Sequence, residues 1–575
     1  MKEHIATAVS EAILQAYGIE WNVKLGYPPR TKLGDYSFQC FGLAKALKQN
    51  PAAVASSLAE YVRAECCAVT SEGPYLNFSV DRASLARLTI ERVISAGDDY
   101  GRTTRPSGQR VMVEYLSPNT NKPLHLGHVR NGCIGMSVAR LLSLDGNTVI
   151  KANLVNDRGI HICKTMLAWL KWSEGQTPES TDTKGDHFVG DLYVRFSQES
   201  EHDPTLMEQA EEMLRQWEAG DQETRELWRR MNSWVYEGFA SSYSLLGFEF
   251  DKFYYESNTY LLGRDIVNQG LTQGVFENID GTIAVMLPES FGLEKDGARK
   301  KSTLLRRDGT SLYITQDIGT AVRKAEEWQL DRSIYVVGSE QEHHFNCLFY
   351  ILKALGFEWS RGCYHLSYGM VNLPEGKMKS REGKVVDADN LVSEMKQLAL
   401  AEIEVRQREQ LECEDRDELA RKIALAAIKF FLLDQSARNT IKFDPTASLS
   451  FTGRTGPCCL YAITRAKSVV EKSSTLDLPN PDYSLLTSEE ETMLLRTIAD
   501  YPEAIQTAVD ACDPSEVAGA LYDVVQTFNE FYQRVSILSA ECPSLIASRL
   551  NLTKATLQVI RNGLWVLGIE EVDAM

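Results

Sequence analysis

The sequence predicts a multidomain α/β plus all-α protein, in which a doubly wound parallel sheet follows a small α/β N-terminal domain and precedes a C-terminal helical bundle. Three observations carry this. Val111 to Leu116 form a short apolar run, a loop containing Pro118 ends it, and Val129 to Leu144 resume with helical spacing of apolar residues, as in the first βα turn of such a sheet. From about residue 396 to the end, nearly every stretch has helical periodicity. At 575 residues the chain exceeds one hydrophobic core, and its length suggests three or four domains.

The elements follow in order. Residues 1–105 hold helices and short strands, beginning with an amphipathic helix whose acidic residues do not match a signal peptide, and closing on the polar linker GRTTRPSGQ. Residues 106–395 make the sheet, interrupted by a charged helical insertion at about Lys184 to Asn232. Residues 396–575 include the apolar-periodic RKIALAAIKFFLLD and the final NLTKATLQVIRNGLWVLGIE. IALAAIKFFLL is too short, and broken by Lys429, to span a membrane. Twelve scattered cysteines without a C-x-x-C spacing read as free thiols in a reducing cytoplasm, with Cys133 and Cys163 as small core residues. There is no internal repeat or low-complexity tract.

The chemistry is concentrated in residues 111–135, VMVEYLSPNTNKPLHLGHVRNGCIG. Gly127 lets a flat base or a phosphate approach the backbone, and the helix start beyond it offers unpaired N–H groups to an anion. His125 and His128, three apart, present both imidazoles on one side as donors to phosphate oxygens. The same pair could be half of a metal site, but no further His or Cys lies nearby at ligand spacing, so no metal is expected there. Downstream, residues 369–386 read GMVNLPEGKMKSREGKVV, a Gly- and Lys-rich loop suited to closing over a triphosphate, or else a solvated charged turn.

Together the H-x-G-H tetrad and the K-M-x-x-R loop resemble the paired signatures of class I aminoacyl-tRNA synthetases, and the detail resembles the arginyl-tRNA synthetase family. The resemblance covers essentially the whole chain. It rests on EYLSPNTNKPLHLGHVRN (Glu114 to Asn131), ANLVNDRGIH (Ala152 to His161), SLYITQDIGTA (Ser311 to Ala321), VVGSEQEHHF (Val336 to Phe345), GKMKSREG (Gly376 to Gly383) and LSFTGRTGPCCLYAITRAKS (Leu449 to Ser468). It implies a Rossmann-type class I catalytic sheet, ATP and L-arginine as substrates, Mg2+ arriving with ATP, and tRNA(Arg) as partner. A cytoplasmic, monomeric ligase follows from it.

The resemblance also assigns residues. Glu114, Asn119, His125, Tyr313, Asp317 and Gln341 would bind arginine, Asp317 and Tyr313 facing a guanidinium that bidentate carboxylate contacts recognise. His125, Gly127, His128, Met370, Val371, Lys377, Lys379 and His344 would bind ATP. The catalytic set would be His125, His128, Lys122, Lys377 and Lys379. One departure stands out: Ser380 takes the place of the final lysine of the class pattern K-M-S-K. Lys122, just before the tetrad, is the stand-in that the resemblance implies. Residues 1–105 would touch the tRNA elbow and 396–575 bind the anticodon, with Arg438, Lys442, Arg454, Tyr461, Arg465 and Lys467 as RNA-facing candidates.

A net charge of −18 runs against nucleic-acid binding, yet Arg421 to Val470 hold eight Lys or Arg against two Asp, a local surplus of six. Two other readings stay open: a nucleotidyltransferase of the same fold acting without tRNA, which the long helical C-terminus disfavours, and a catalytically weak, synthetase-like tRNA-binding regulator.

Overall fold

The computed structural model describes residues 2–28, 33–64, 67–103, 106–294, 297–307, 311–372, 386–406 and 413–575. The expected loop lysines Lys377 and Lys379, and Ser380, lie outside them.

The central sheet begins with strand β1, Arg110–Glu114, which leads into helix α1, Leu126–Leu144, and then strand β2, Thr148–Val155. Five helices of the insertion follow, Ile160–Trp172, the short Pro178–Thr181, Gly185–His202 (α2), Thr205–Ala219 and Gln222–Leu246, before strand β3, Lys252–Tyr255. The insertion is thus helical well beyond the expected Lys184–Asn232. Helix α3, Tyr313–Trp328, strand β4, Arg332–Gly338, helix α4, Glu342–Ala354, and strand β5, Cys363–Tyr368, complete the unit. The spatial order is β5-β4-β1-β2-β3, every pair parallel. The chain therefore leaves β1 toward β2 and later returns to its other side as β4. A crevice at the carboxyl ends of β1 and β4 is where such a sheet binds ligands.

Val111, Met112 and Val113 are all buried, because both faces of β1 are covered and a continuous apolar run is what such a strand needs. The strand stops at Glu114, earlier than the apolar run, since Leu116 (φ 79°) and Ser117 (φ 47°) turn into the left-handed region. Asn131 accepts from Leu116 N–H (2.6 Å) and Asn153 from Ser117 N–H (3.2 Å), holding that turn open. Helix α1 starts three residues before the apolar periodicity, because its cap comes from the tetrad itself. At Gly135 it lies so close to the sheet that a Cβ would stand 2.3 Å from the Tyr115 side chain.

The N-terminal region is a four-stranded sheet with helices, its strands being Leu25–Gly26, Tyr36–Gln39, Tyr75–Val80 and Cys67–Glu72 in spatial order. It docks on the C-terminal helix Glu489–Ala511 through Arg496 with Asp35 and Tyr27 with Asp500. The C-terminal region consists chiefly of helices from Ala388–Arg406 to Pro543–Val566. One buried apolar cluster runs from Ile5 through the sheet to Val572. No described helix is long and apolar enough to cross a membrane. Cys133 and Cys163 are buried, and burial pushes both thiols up to about 12, as inert core residues require.

Candidate active site

The tetrad builds its own scaffold. His125 is the N-cap of α1, and its Nδ1 accepts the Gly127 N–H (3.1 Å), while His128 Nδ1 accepts the His125 N–H (3.1 Å). This reciprocal box satisfies helix-start donors that would otherwise be orphaned. It also fixes the chemistry. Burial, with Lys122 adding to it, lowers His125 to about 3, and burial together with His125 and Lys122 holds His128 well below its ordinary range. Both rings are therefore neutral, and with Nδ1 accepting, the remaining proton of each is on Nε2. The ring centres are 3.8 Å apart, so two neutral N–H donors share one spot at a helix start. Lys122, three residues before His125, is half-buried, which lowers its ammonium from the ordinary lysine range.

The other half of the crevice is acidic. Asp317 sits one turn into α3, where its Oδ2 is 2.6 Å from His344 Nε2 of α4. Tyr313, at the first position of α3, is 75% exposed and Gln341 caps α4 at the surface. Glu256 begins the short helix Glu256–Thr259 that follows β3. The turn after it can lie against α3 because Gly319 has no side chain: a Cβ there would meet Gly263 N at 2.2 Å. Asp157, at the end of β2, pins the short helix itself by accepting from Ser257 N–H (2.8 Å) and Ser257 Oγ (2.6 Å). Burial first, then Asp157 and Asp317, raise the Glu256 carboxyl to about 7, against the opposing pull of Arg158. Arg158 itself lies 4.0 Å from Glu256, pairs with Glu218 (2.6 Å) and stacks on the Tyr260 ring (4.1 Å). Glu114, at the end of β1, is buried and ion-paired with Lys324 of α3.

Two clamps hold the floor. Leu126 N–H donates to Val386 O (3.0 Å) and Ala388 N–H to Leu124 O (2.9 Å), so residues 386–388 zip against the tetrad strand. Asp387 and Asp389 are each 3.3 Å from His187 of α2, and Asp389 also takes the Lys184 ammonium. Although burial opposes it, His187 and Lys184 hold Asp389 down to about 2. On the other side Arg130 of α1, wholly buried, donates to Gly369 O (2.7 Å), Asn439 O (2.8 Å) and Met370 O (3.3 Å). It fastens the strand Val371–Asn372, and with it exposed Met370 and buried Val371, to the tetrad helix.

Known proteins share this fold. Residues 89–444 match the family described as tRNA synthetases class I (R), catalytic domain. Residues 459–575 match the DALR anticodon binding domain, and residues 1–80 the arginyl tRNA synthetase N terminal domain. An arginine–tRNA ligase of Treponema denticola is 44% identical over 96% of this chain and 95% of its own. The chain belongs to the arginyl-tRNA synthetase family. An arginine–tRNA ligase of Parabacteroides distasonis, another member, is 41% identical over the full length of both chains. The Thermus thermophilus arginyl-tRNA synthetase structure superposes with a TM-score of 0.85 at 25% identity, covering both chains completely.

Set against that family, the residues expected from sequence fall into groups. His125, Gly127 and His128 stand together at the start of α1, and Glu114, Asp317, Tyr313 and Gln341 all lie at the carboxyl edge of β1 and β4 or at the helix starts beside it. Asn119 is exposed in the loop after β1 and bridges Asn156. His344, expected at ATP, is hydrogen-bonded to Asp317, on the acidic side. Of the RNA candidates, Arg438 and Lys442 are exposed and Arg454 is paired with Asp434 (2.5 Å). Arg465 stacks between Tyr461 (4.1 Å) and Tyr532 (5.0 Å), and the Lys467 ammonium is held by Glu571 (3.1 Å) and Asp573 (2.7 Å). Sequence reasoning missed Arg130, Glu256 and Lys324. A signal existed for Arg130 and Lys324, each a cation on the apolar-periodic face of its helix; Glu256 had none.

Proposed function

We propose that this arginyl-tRNA synthetase forms arginyl-adenylate in the crevice between β1 and β4 and transfers the arginyl group to tRNA(Arg). The arginine carboxylate attacks the α-phosphorus of ATP and pyrophosphate leaves. A ribose hydroxyl at the tRNA 3′ end then attacks the carbonyl carbon of the mixed anhydride, and AMP departs. His125 and His128 serve as fixed Nε2–H donors to the phosphates, adding no charge of their own, with Gly127 under the adenosine. The backbone at Met370 and Val371 reads the adenine edge. Asp317 and Glu256 take the guanidinium, with Tyr313, Gln341, Asn119 and Glu114 completing the amino-acid contacts. Lys122, Lys377 and Lys379 bring positive charge to the leaving phosphates.

Magnesium belongs with ATP, through phosphate oxygens. Asp186, His187 and Asp389 form the one described group with metal-ligand spacing, but the Lys184 ammonium already lies among them, so they do not fit the ion and no step runs through it. Residues 1–105 would contact the tRNA elbow and residues 396–575 the anticodon, in a monomeric cytoplasmic enzyme.

The observation that carries this reading is the meeting of neutral imidazole donors and a carboxylate cluster at one sheet edge. AMP release measured with each amino acid, with and without tRNA, tests it. Arginine-dependent AMP only when tRNA is added is expected. Nucleotide turnover independent of any amino acid would favour the nucleotidyltransferase reading, and binding without AMP the regulator.

A further inference from the structure

Helix α3 carries, two turns beyond Asp317, a lysine where its spacing calls for an apolar residue. Ile318, Ala321, Val322 and Ala325 around it are buried, and Lys324 is itself only 3% exposed. Its ammonium meets the Glu114 carboxylate, and it stands 5.1 Å from the centre of the Tyr254 ring and 6.0 Å from that of Tyr335. Tyr335 is the β4 residue directly opposite Glu114, and Tyr254 lies on β3. The cation is therefore boxed between the sheet and the helix that bears Tyr313 and Asp317.

Stability does not account for it. Taking both charges out of water is costly, and an apolar side chain in the same slot would generally serve packing as well or better. None of the catalytic steps set out above uses Lys324. Removing it alone, however, would leave Glu114 as an uncompensated buried charge at the end of β1, against the helix that carries the carboxylate assigned to the guanidinium.

We propose that Lys324 is a positioning and specificity residue for arginine: by holding and neutralising Glu114 it leaves the free negative charge of the pocket to Asp317 and Glu256. The pocket then has two acceptor carboxylates matched to one forked cation, rather than three that would draw in any cation. This inference rests on the arginine pocket proposed above.

The test uses the full-length enzyme with tRNA(Arg) present. For K324M the arginine KM should rise about 30-fold while kcat and the ATP KM stay within about threefold, the mark of lost amino-acid binding. K324R, which keeps the cation, should recover to within about fivefold of wild type. In E114Q/K324M the two losses should fail to multiply, because the pair acts as a unit. An arginine KM unmoved in K324M, arginine and ATP KM rising together, or losses that multiply would each overturn the proposal. Should K324M fail to fold, E114Q/K324M, which leaves no unpaired charge, is compared with E114Q: an arginine KM no higher than that of E114Q supports the role, and one raised more than about fivefold above it removes it. Wild type that charges no tRNA with arginine would instead bring down the pocket reading itself.

Discussion

The two halves of the crevice are built on opposite plans. On the tetrad side the groups are neutral, and backbone N–H groups within four residues hold them: each imidazole takes an amide proton at Nδ1 and offers Nε2–H. On the acidic side every carboxylate is charged or chargeable and lies beside a side chain from a distant segment, Asp317 by His344, Glu256 by Arg158, Glu114 by Lys324. On the function proposed above, the difference follows from what each half meets. A polyphosphate brings its own negative charge and its cation, so the imidazoles can hold it as neutral donors of fixed direction, with Lys122 beside them for the charge that develops. A guanidinium brings one charge in a planar fork, and carboxylates left unpaired in a buried site would repel one another without separate supports.

The largest effect expected on this view comes from Asp317→Asn. It keeps shape and removes charge from the acidic half, so kcat/KM for arginine should fall about 1,000-fold with the ATP KM nearly unchanged, because a site built to hydrogen-bond a substrate group loses heavily when that charge is removed. Pyrophosphate exchange against arginine concentration, with tRNA present, gives the number. A loss below about tenfold would mean that the acidic half does not recognise substrate by charge.

The tetrad half is tested by its neighbours and then by itself. Since Ser380 stands where the class pattern has lysine, Lys122→Ala should slow activation about 100-fold, more than Lys379→Ala, as expected for a cation at the developing charge. Equal or reversed losses would defeat the substitution of Lys122. His125→Asn comes next. Asparagine caps helices well, so the fold should keep its melting temperature while kcat drops about 30-fold through loss of Nε2–H; His125→Ala should lose about 1 kcal/mol of stability in addition. An H125N enzyme as fast as wild type would reduce the ring to a cap.

The same contrast explains how much could be read from sequence. The tetrad was legible because its function is local: H-x-G-H supplies cap, box and donors within one turn, after a strand whose apolar run shows burial on both faces. The parallel sheet, the helical insertion and the helical C-terminal region were legible for the same reason, as periodicity. Helix α1 was placed three residues late, since periodicity does not register a histidine cap. The acidic half was accessible only through family resemblance, because Glu114 on β1 and Asp317 on α3 reach one sheet edge only through the fold. Glu256 stayed hidden, its place set by the close approach of Gly319 to Gly263 and by the Asp157 anchor on Ser257, contacts between segments far apart in sequence. Arg130 and Lys324 show that a cation on an apolar helical face is a readable sign of a buried partner, even when the partner is not.

The smallest expected effect is a pH dependence, and it separates the halves most cleanly. The tetrad rings are neutral across the physiological range, so they give no acid limb there. Glu256 differs: its carboxyl is raised from 4.5 to about 7, chiefly by burial, so it is partly protonated in the free enzyme at neutral pH. Rising pH ionises it and improves the pocket for guanidinium, so kcat/KM for arginine should climb about tenfold between pH 6 and 8, whereas kcat/KM for ATP should stay flat. Glu256→Gln should flatten the arginine curve. Stability runs the other way. A carboxyl that holds its proton more tightly folded than unfolded means that the unfolded state binds fewer protons between pH 4.5 and about 7, so unfolding free energy falls as pH rises through that window. Denaturant titrations of wild type and E256Q at pH 5 and 8 should therefore converge at the acid end and diverge at the basic end, with the variant the more stable there. An arginine curve that stays steep in E256Q would assign the titration to another group and leave Asp317 as the sole charge facing the substrate.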